Sequence, residues 1–199
     1  MKFIAKIFAC VFLCSFSLSA QNIDTNTYDE KTGQRYIVTR NYRGNKLELN
    51  HTVSSTGALY FSAGYQSGKT AEKATEVYFI DLYIVHNDRR LGCLKEYEST
   101  ATLLLADGTQ IECFQISETD CGNVGFQAAF ALKSKGSSVN NSMEENFKKL
   151  MTTEIVEIKV KTSEKTEKFK IKPREREYLK NHFILVDKTM KVKINNPQK

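Results

Sequence analysis

Between Gln34 and Lys133 apolar side chains recur at every second position in several short runs, the period of a half-buried strand. Gln34–Tyr42 and Lys46–Val53 are predicted as two strands joined at Gly44-Asn45, a hairpin-turn pair. Ala58–Ala63 is predicted as a third strand, followed by a loop over Gly64–Thr75. Glu76–His86 is long, aromatic and β-branched, a strand covered on both faces at its middle. Ser99–Ala106 and Thr109–Ile116 flank Asp107-Gly108, the strongest hairpin signal in the chain, and Gly125–Lys133 follows as a strand. After a polar loop over 134–141 the period changes. Ser142 and Glu145 have capping-box spacing, and Met143, Phe147, Leu150 and Met151 share one helical face. Glu154–Thr162 alternates again, with Val156, Ile158 and Val160 inward and Glu157, Lys159 and Lys161 outward. Glu167–Lys172 returns with Phe169 and Ile171 inward, and Pro173 opens a final helix striped by Leu179, Phe183, Val186 and Met190.

These elements predict a mainly β fold, an antiparallel β-sandwich of about nine strands with two short helices in the C-terminal half. A half-open β-barrel (α+β) is the alternative. The domain is expected over 34–194, with 195–199 as a tail and 21–33, polar and aperiodic, as a flexible N-terminal segment.

The first twenty residues break the pattern. Lys2 and Lys6 precede an apolar run, Ile7–Leu13, which gives way to Ser17-Leu18-Ser19-Ala20 with small residues at the positions a signal peptidase reads. This is the three-part form of a secretory signal cleaved near Ala20-Gln21, and it places the mature chain in the periplasm or outside the cell. The run is too short and Ser-rich to span a bilayer, which needs about 20 apolar residues. Cys10 and Cys14 make poor lipidation sites, Cys14 because Leu13 precedes it.

Charge is uneven. Residues 143–199 carry 15 Lys and Arg against 9 Asp and Glu, whereas residues 21–142 carry 12 against 14. The lysines at 159, 161, 168, 170 and 172 alternate with apolar residues and read as the solvated face of strands. An exported location argues against nucleic acid as a partner. Trp is absent, but nine Tyr keep a sugar-stacking surface open.

Three cysteines remain after the signal, Cys93, Cys113 and Cys121, and an oxidising compartment favours one disulfide and one spare thiol. A two-residue turn at Asp107-Gly108 pairs residues whose numbers sum to 215 and sets Cys113 opposite Thr102, in mid-strand. Cys93 and Cys121 sum to 214 and lie at the open end of that hairpin, one residue out of register. Cys93–Cys121 is the expected pair, and Cys113 a small buried apolar residue. Cys113–Cys121 is the rival pairing.

Little else carries chemistry. Ala63–Thr70 matches a relaxed phosphate-loop pattern, but only about two helical turns follow before the apolar run ending at Asp81, too few to cross a sheet. His51, His86 and His182 have no carboxylate or Cys at metal spacing. Glu96 and Glu98 read as solvated strand-edge carboxylates. Asn50-His51-Thr52 and Asn140-Asn141-Ser142 fit the glycosylation pattern of a eukaryotic secretory pathway. No cofactor, metal or catalytic residue is assigned.

The signal ending Ser-Leu-Ser-Ala before Gln21, the Asp-Gly hairpin within Ser99–Ile116, the Phe/Leu-rich Gly125–Lys133, the helix Met143–Met151 and the strand Ile155–Thr162 together resemble the small uncharacterised exported β-sandwich proteins of Bacteroidetes-type bacteria. The resemblance spans residues 76–187 and implies an envelope β-sandwich without functional residues to transfer.

The expected function is a non-catalytic exported envelope protein that binds a protein partner or a surface glycan through sheet edges and loops. The alternative is a small-molecule carrier or hydrolase, its pocket built from loops 64–75 and 87–98 and lined by Tyr65, Asp88, Arg89, Arg90 and Glu96.

Overall fold

Alternation becomes ten strands in the computed structural model of the chain, which describes residues 22–40, 50–51, 58–69, 74–86, 89–122, 124–136 and 141–192, with backbone alone at 50, 51, 69, 89, 141 and 142. In chain order the strands are β1 (Ile23–Asp29), β2 (Gln34–Thr39), β3 (Asn50–His51), β4 (Ala58–Lys69) and β5 (Ala74–Val85). After a single turn of 3-10 helix at Arg89–Leu91 come β6 (Thr100–Leu105), β7 (Gln110–Gln115) and β8 (Gly125–Ala131), then helix α1 (Asn141–Thr152), β9 (Ile155–Lys161), β10 (Thr166–Lys170) and helix α2 (Pro173–Lys191). Every ladder is antiparallel, in the order β1-β2-β4-β5-β8-β7-β6-β9-β10-β3. The mainly β antiparallel fold with two late helices is therefore as expected. One continuous ladder forms it, not closed into a barrel, since β1 and β3 are its two edges.

That ladder must bend. Ala58 follows His51 by seven steps, a reach of at most about 25 Å. A flat sheet would set β3 and β4 seven positions apart, about 34 Å at the usual strand spacing. Helix α2 accordingly touches β2 and β4 on one side of the sheet and β9 on the other. The concave side is filled by inward side chains. Leu59 and Phe61 of β4, Ile80 and Leu82 of β5, and Phe126 and Phe130 of β8 meet Leu179, Phe183 and Val186 of α2, all at most 1 % exposed. Phe183 packs edge-on against Phe61 and Phe147, at 5.8 and 5.9 Å between centroids, and so joins α1 and α2 to the sheet.

Helix α2 begins at Pro173, as its fixed φ favours. Its last carbonyls are met from across the sheet. The Arg35 guanidinium on β2 donates to Met190 O at 2.8 Å and Thr189 O at 2.6 Å. Thr189 O also accepts from Val192 N at the helix end, and the Arg35 cation suits the negative end of the helix dipole.

Four expectations change. Residues 64–69 and 74–75 extend β4 and β5 rather than forming a loop. The glycines there look loop-like, but the Phe79 ring lies over Gly64 on the outer face and stacks on Tyr36 at 5.9 Å, filling the space a side chain would take. Second, residues 23–29 of the expected flexible segment form edge strand β1, so the domain starts before Gln34. The Asp29 carboxylate accepts from Lys31 N and Thr32 Oγ1 and fixes the turn into β2. Third, the expected pairing of Gln34–Tyr42 with Lys46–Val53 is not made in the described part: β3 pairs with β10 at the opposite end of the sheet, Phe169 facing His51. Gly44-Asn45 lies outside the described residues, as do the Ser142 side chain of the capping box and the 195–199 tail. Fourth, the β6–β7 turn has three residues, not two. Leu105 N bonds to Thr109 O around Ala106, Asp107 and Gly108, with Gly108 at φ +85°. This is the three-residue hairpin whose last residue is left-handed.

Candidate functional site

The fourth change sets the cysteines. With three turn residues the hairpin pairs numbers summing to 214, as in Leu103↔Ile111 and Ala101↔Cys113. Leu94↔Asp120 continues that register, and Cys93 falls directly opposite Cys121. Their Cα atoms are 4.3 Å apart and the sulfurs 2.04 Å apart, a disulfide. Cys113 is free and fully buried, facing Ala101 rather than Thr102, and burial pushes its thiol well above the ordinary value.

The segment between the 3-10 turn and β6 is bolted down around that bond. Leu91 and Leu94 enter the core. Cys93 N donates to Ser163 Oγ at 3.0 Å, Ser163 N donates to Cys93 O at 2.9 Å, and Thr162 Oγ1 donates to Leu91 O. The buried Gln115 amide donates to Leu94 O, Ser117 O and Glu118 O. Gly92 sits at φ +75°, where a Cβ would stand 2.2 Å from Ser163 Oγ and 2.5 Å from Glu164 Cγ. Gly92→Ala is therefore expected to cost about 1–3 kcal/mol of unfolding free energy in a denaturant titration. A neutral result would mean that this corner is loose.

The five residues expected to line a pocket do not share one in the described structure. Tyr65 points into the concave core, 6 % exposed, and donates to Glu76 Oε1 at 2.7 Å. Burial, and then that carboxylate, push its phenol up to about 12. Arg90 and Glu96 lie beyond the opposite end of β5. Tyr65 pairs with Tyr78, and the seven steps from Tyr78 to Val85 are about 23 Å of strand. Asp88 and the Arg89 side chain lie outside the described residues.

Three other polar groups, to which sequence assigned no role, are buried. Asp81 stands on the outer face in the middle of β5 between Ser62 and Ala129, and Gln127 Nε2 donates to its Oδ2 at 2.6 Å. Its Oδ1 is buried without a partner among the described residues, and burial pushes the carboxyl up to about 6. His182, on the buried stripe of α2, is 0 % exposed. Its Nδ1 lies 2.7 Å from Thr39 Oγ1, with the rings of Phe61 and Tyr178 against it. Burial drives its pKa down to about 3. His86, 4 % exposed, packs on Phe126 at 4.6 Å, and neither ring nitrogen has a hydrogen-bond partner among the described residues. A carboxylate inside an apolar run, as at Asp81, is a signal that sequence offers. The buried setting of His182 follows only from the helix phase.

At the β1 edge a cleft of about 160 Å³ is lined by residues 27–29 of β1, 34–36 of β2 and Gln66 of β4. Tyr28 is 46 % and Tyr36 39 % exposed. Tyr28 pairs with Arg35 and Thr27 with Tyr36, so Tyr28 lies on the Arg35 face of the sheet and Tyr36 on the opposite, outer face. The cleft is far below the 300 Å³ or more of ordinary small-molecule sites. Among the described residues no three His, Cys, Asp or Glu side chains converge as a metal site requires. No helix among them is long and apolar enough to cross a membrane.

Comparison with protein-family models, curated proteins and solved structures finds no match.

Proposed function

We propose that this chain is a non-catalytic protein of the cell envelope, exported by residues 1–20, that binds a protein partner by adding a strand to its β1 edge. The observation that carries the reading is the edge itself. β1 pairs with β2 along one side, and among the described residues no strand pairs its other side. Such an edge offers a row of unpaired backbone donors and acceptors. A register shift at its start, between Ile23 and Thr25, and the Arg40–Asp24 ion pair blunt the first residues, leaving Thr25–Asp29 regular. Tyr28 within that stretch and Tyr36, opposite Thr27 on β2, carry amphipathic rings of the kind enriched at interfaces, one on each face of the edge. The disulfide-bonded pair agrees with an oxidising compartment. The rival reading, a carrier or hydrolase pocket between 64–75 and 87–98, has no comparable support, because β5 holds those segments apart.

A photoreactive side chain introduced at position 28 of the exported protein, in the cells that make it, tests this. The expected product is a discrete crosslink to an envelope protein, absent when the same group stands at Val192, which is also exposed. Identical products from both positions, or a glycan as the sole adduct at position 28, would overturn strand addition.

A further inference from the structure

The sheet gives no reason for a carboxylate at Asp81. Gln127 Nε2 satisfies its Oδ2, but Oδ1 is buried without a hydrogen-bond partner among the described residues. The outward positions of β4, β5 and β8 next to it hold Tyr60, Ser62, Gly64, Phe79, Tyr83, Gln127 and Ala129, with no Lys or Arg among them. A buried carboxylate left in this way costs stability, whereas an amide of the same shape carries no charge to desolvate. Such a group is accounted for by what it meets from outside the chain.

Rings surround it. Phe79 and Tyr83 are the next outward residues on β5, one on either side of Asp81. Each stacks on a tyrosine of another strand, Phe79 on Tyr36 at 5.9 Å and Tyr83 on Tyr60 at 5.8 Å. Burial, and then the charge on Asp81, push the Tyr36 phenol up, so that ring and the carboxylate share one surrounding. The residues directly across from Asp81, Ser62 and Ala129, are small. The carboxylate thus lies on a floor of small side chains, below two ring pairs. Both helices pack on the concave side, away from this face.

We infer that Asp81 anchors a binding site for a primary ammonium, carried by an alkyl amine or by a lysine side chain. Its Oδ1 needs an N–H donor, which a quaternary ammonium lacks. Gln127 holds the other oxygen, so the two-pronged bond of a guanidinium is not open. Ring faces around the carboxylate attract a cation as well. A metal ion would need further ligands, and among the described residues no three His, Cys, Asp or Glu side chains converge. Entry is over Tyr60 and Tyr83, whose side chains are only half-buried and can tip without moving the backbone. Tyr36 borders both this site and the β1 edge, but the ammonium site does not depend on a strand added there.

The test is an NMR titration of the exported, signal-cleaved protein at neutral pH and fixed ionic strength. The probes are pentylammonium, Nα-acetyl-lysine N-methylamide, its arginine counterpart and tetramethylammonium. The two primary ammonium probes should shift the Gln127 side-chain amide saturably and raise the melting temperature, and the other two should bind about tenfold more weakly. Tighter binding of pentylammonium assigns the site to a free amine, and tighter binding of the lysine probe to a partner's lysine; both support it. Asp81→Asn separates binding from folding: it should stay folded and lose the shift and the rise in melting temperature. Tyr83→Leu should lower affinity about threefold. No saturable shift with either primary ammonium, an undiminished shift in Asp81→Asn, or equal affinity for tetramethylammonium would each overturn the proposal.

Discussion

Replacing both bonded cysteines, Cys93→Ala with Cys121→Ala, is expected to lower the unfolding free energy by about 3–4 kcal/mol, the chain-entropy value for closing a loop of this length. For a domain of this size that is about 10 °C in melting temperature. The loss should approach the full entropic value because the bond fits its surroundings. Leu94 and Asp120 already bridge beside it, and Ser163 pairs with the Cys93 backbone. Freed, that corner would release Leu91 and Leu94, whose side chains close one end of the core. Reductant should bring the wild type down to the variant and leave the variant unchanged. Cys113→Ala serves as control: it keeps the Cys93–Cys121 bond, so reductant should lower its denaturation midpoint by as much as it lowers that of the wild type. A loss below about 1 kcal/mol, or Cys93, Cys113 and Cys121 all found free by mass analysis of the protein from the cells that make it, would refute the crosslink and, with it, much of the support for the proposed export.

The same cysteines mark how far the sequence reaches. Alternation located β5 to β10 and both helices to within a few residues, because each buries one clear face. The disulfide was legible but one residue out of register. Asp-Gly reads equally well as a two- or a three-residue turn, and only the ladder shows Leu105 bonded to Thr109. β1 was missed because an edge strand is held by backbone pairing: Thr25, Asn26 and Thr27 bury too little to leave a hydrophobic trace. The extension of β4 through Gly64 and Gly68 was missed because what fills the space over Gly64, the Phe79 ring, comes from another strand. Site residues fared worse for the same reason. Tyr65 and Glu96 look adjacent as loop residues, yet a twelve-residue strand lies between their segments. The left-handed backbone of Tyr97, at φ +58°, leaves no mark in the sequence at all.

Acid stability should be flatter than either buried ionisable group alone would allow, because two of them oppose each other. His182 has its folded pKa at about 3, below an ordinary 6.5, so between those values the unfolded chain binds a proton that the folded chain refuses. Stability from this group falls as pH drops, by about 1.4 kcal/mol per unit. Asp81 runs the other way. Its folded pKa is raised to about 6 from 3.8, so between those values the folded chain holds a proton that the unfolded chain has lost. Its destabilising share is full above pH 6 and is relieved as pH falls toward 4. From pH 6 to 4 the two slopes nearly cancel. Asp81→Asn keeps the shape, and with it the bond from Gln127, but removes the carboxyl's titration. That variant should gain stability at pH 7 and then lose about 2–3 kcal/mol by pH 4.5 in urea titrations, a fall the wild type does not show. His182→Phe should reverse the slope, growing more stable over the same interval. The groups are independent enough for this test: His182 lies against Thr39, Phe61 and Tyr178 on the concave side, while Asp81 stands on the outer face beside Gln127. Parallel pH profiles for the wild type and Asp81→Asn would mean that the Asp81 carboxylate is solvated and that the outer face around it is open to water.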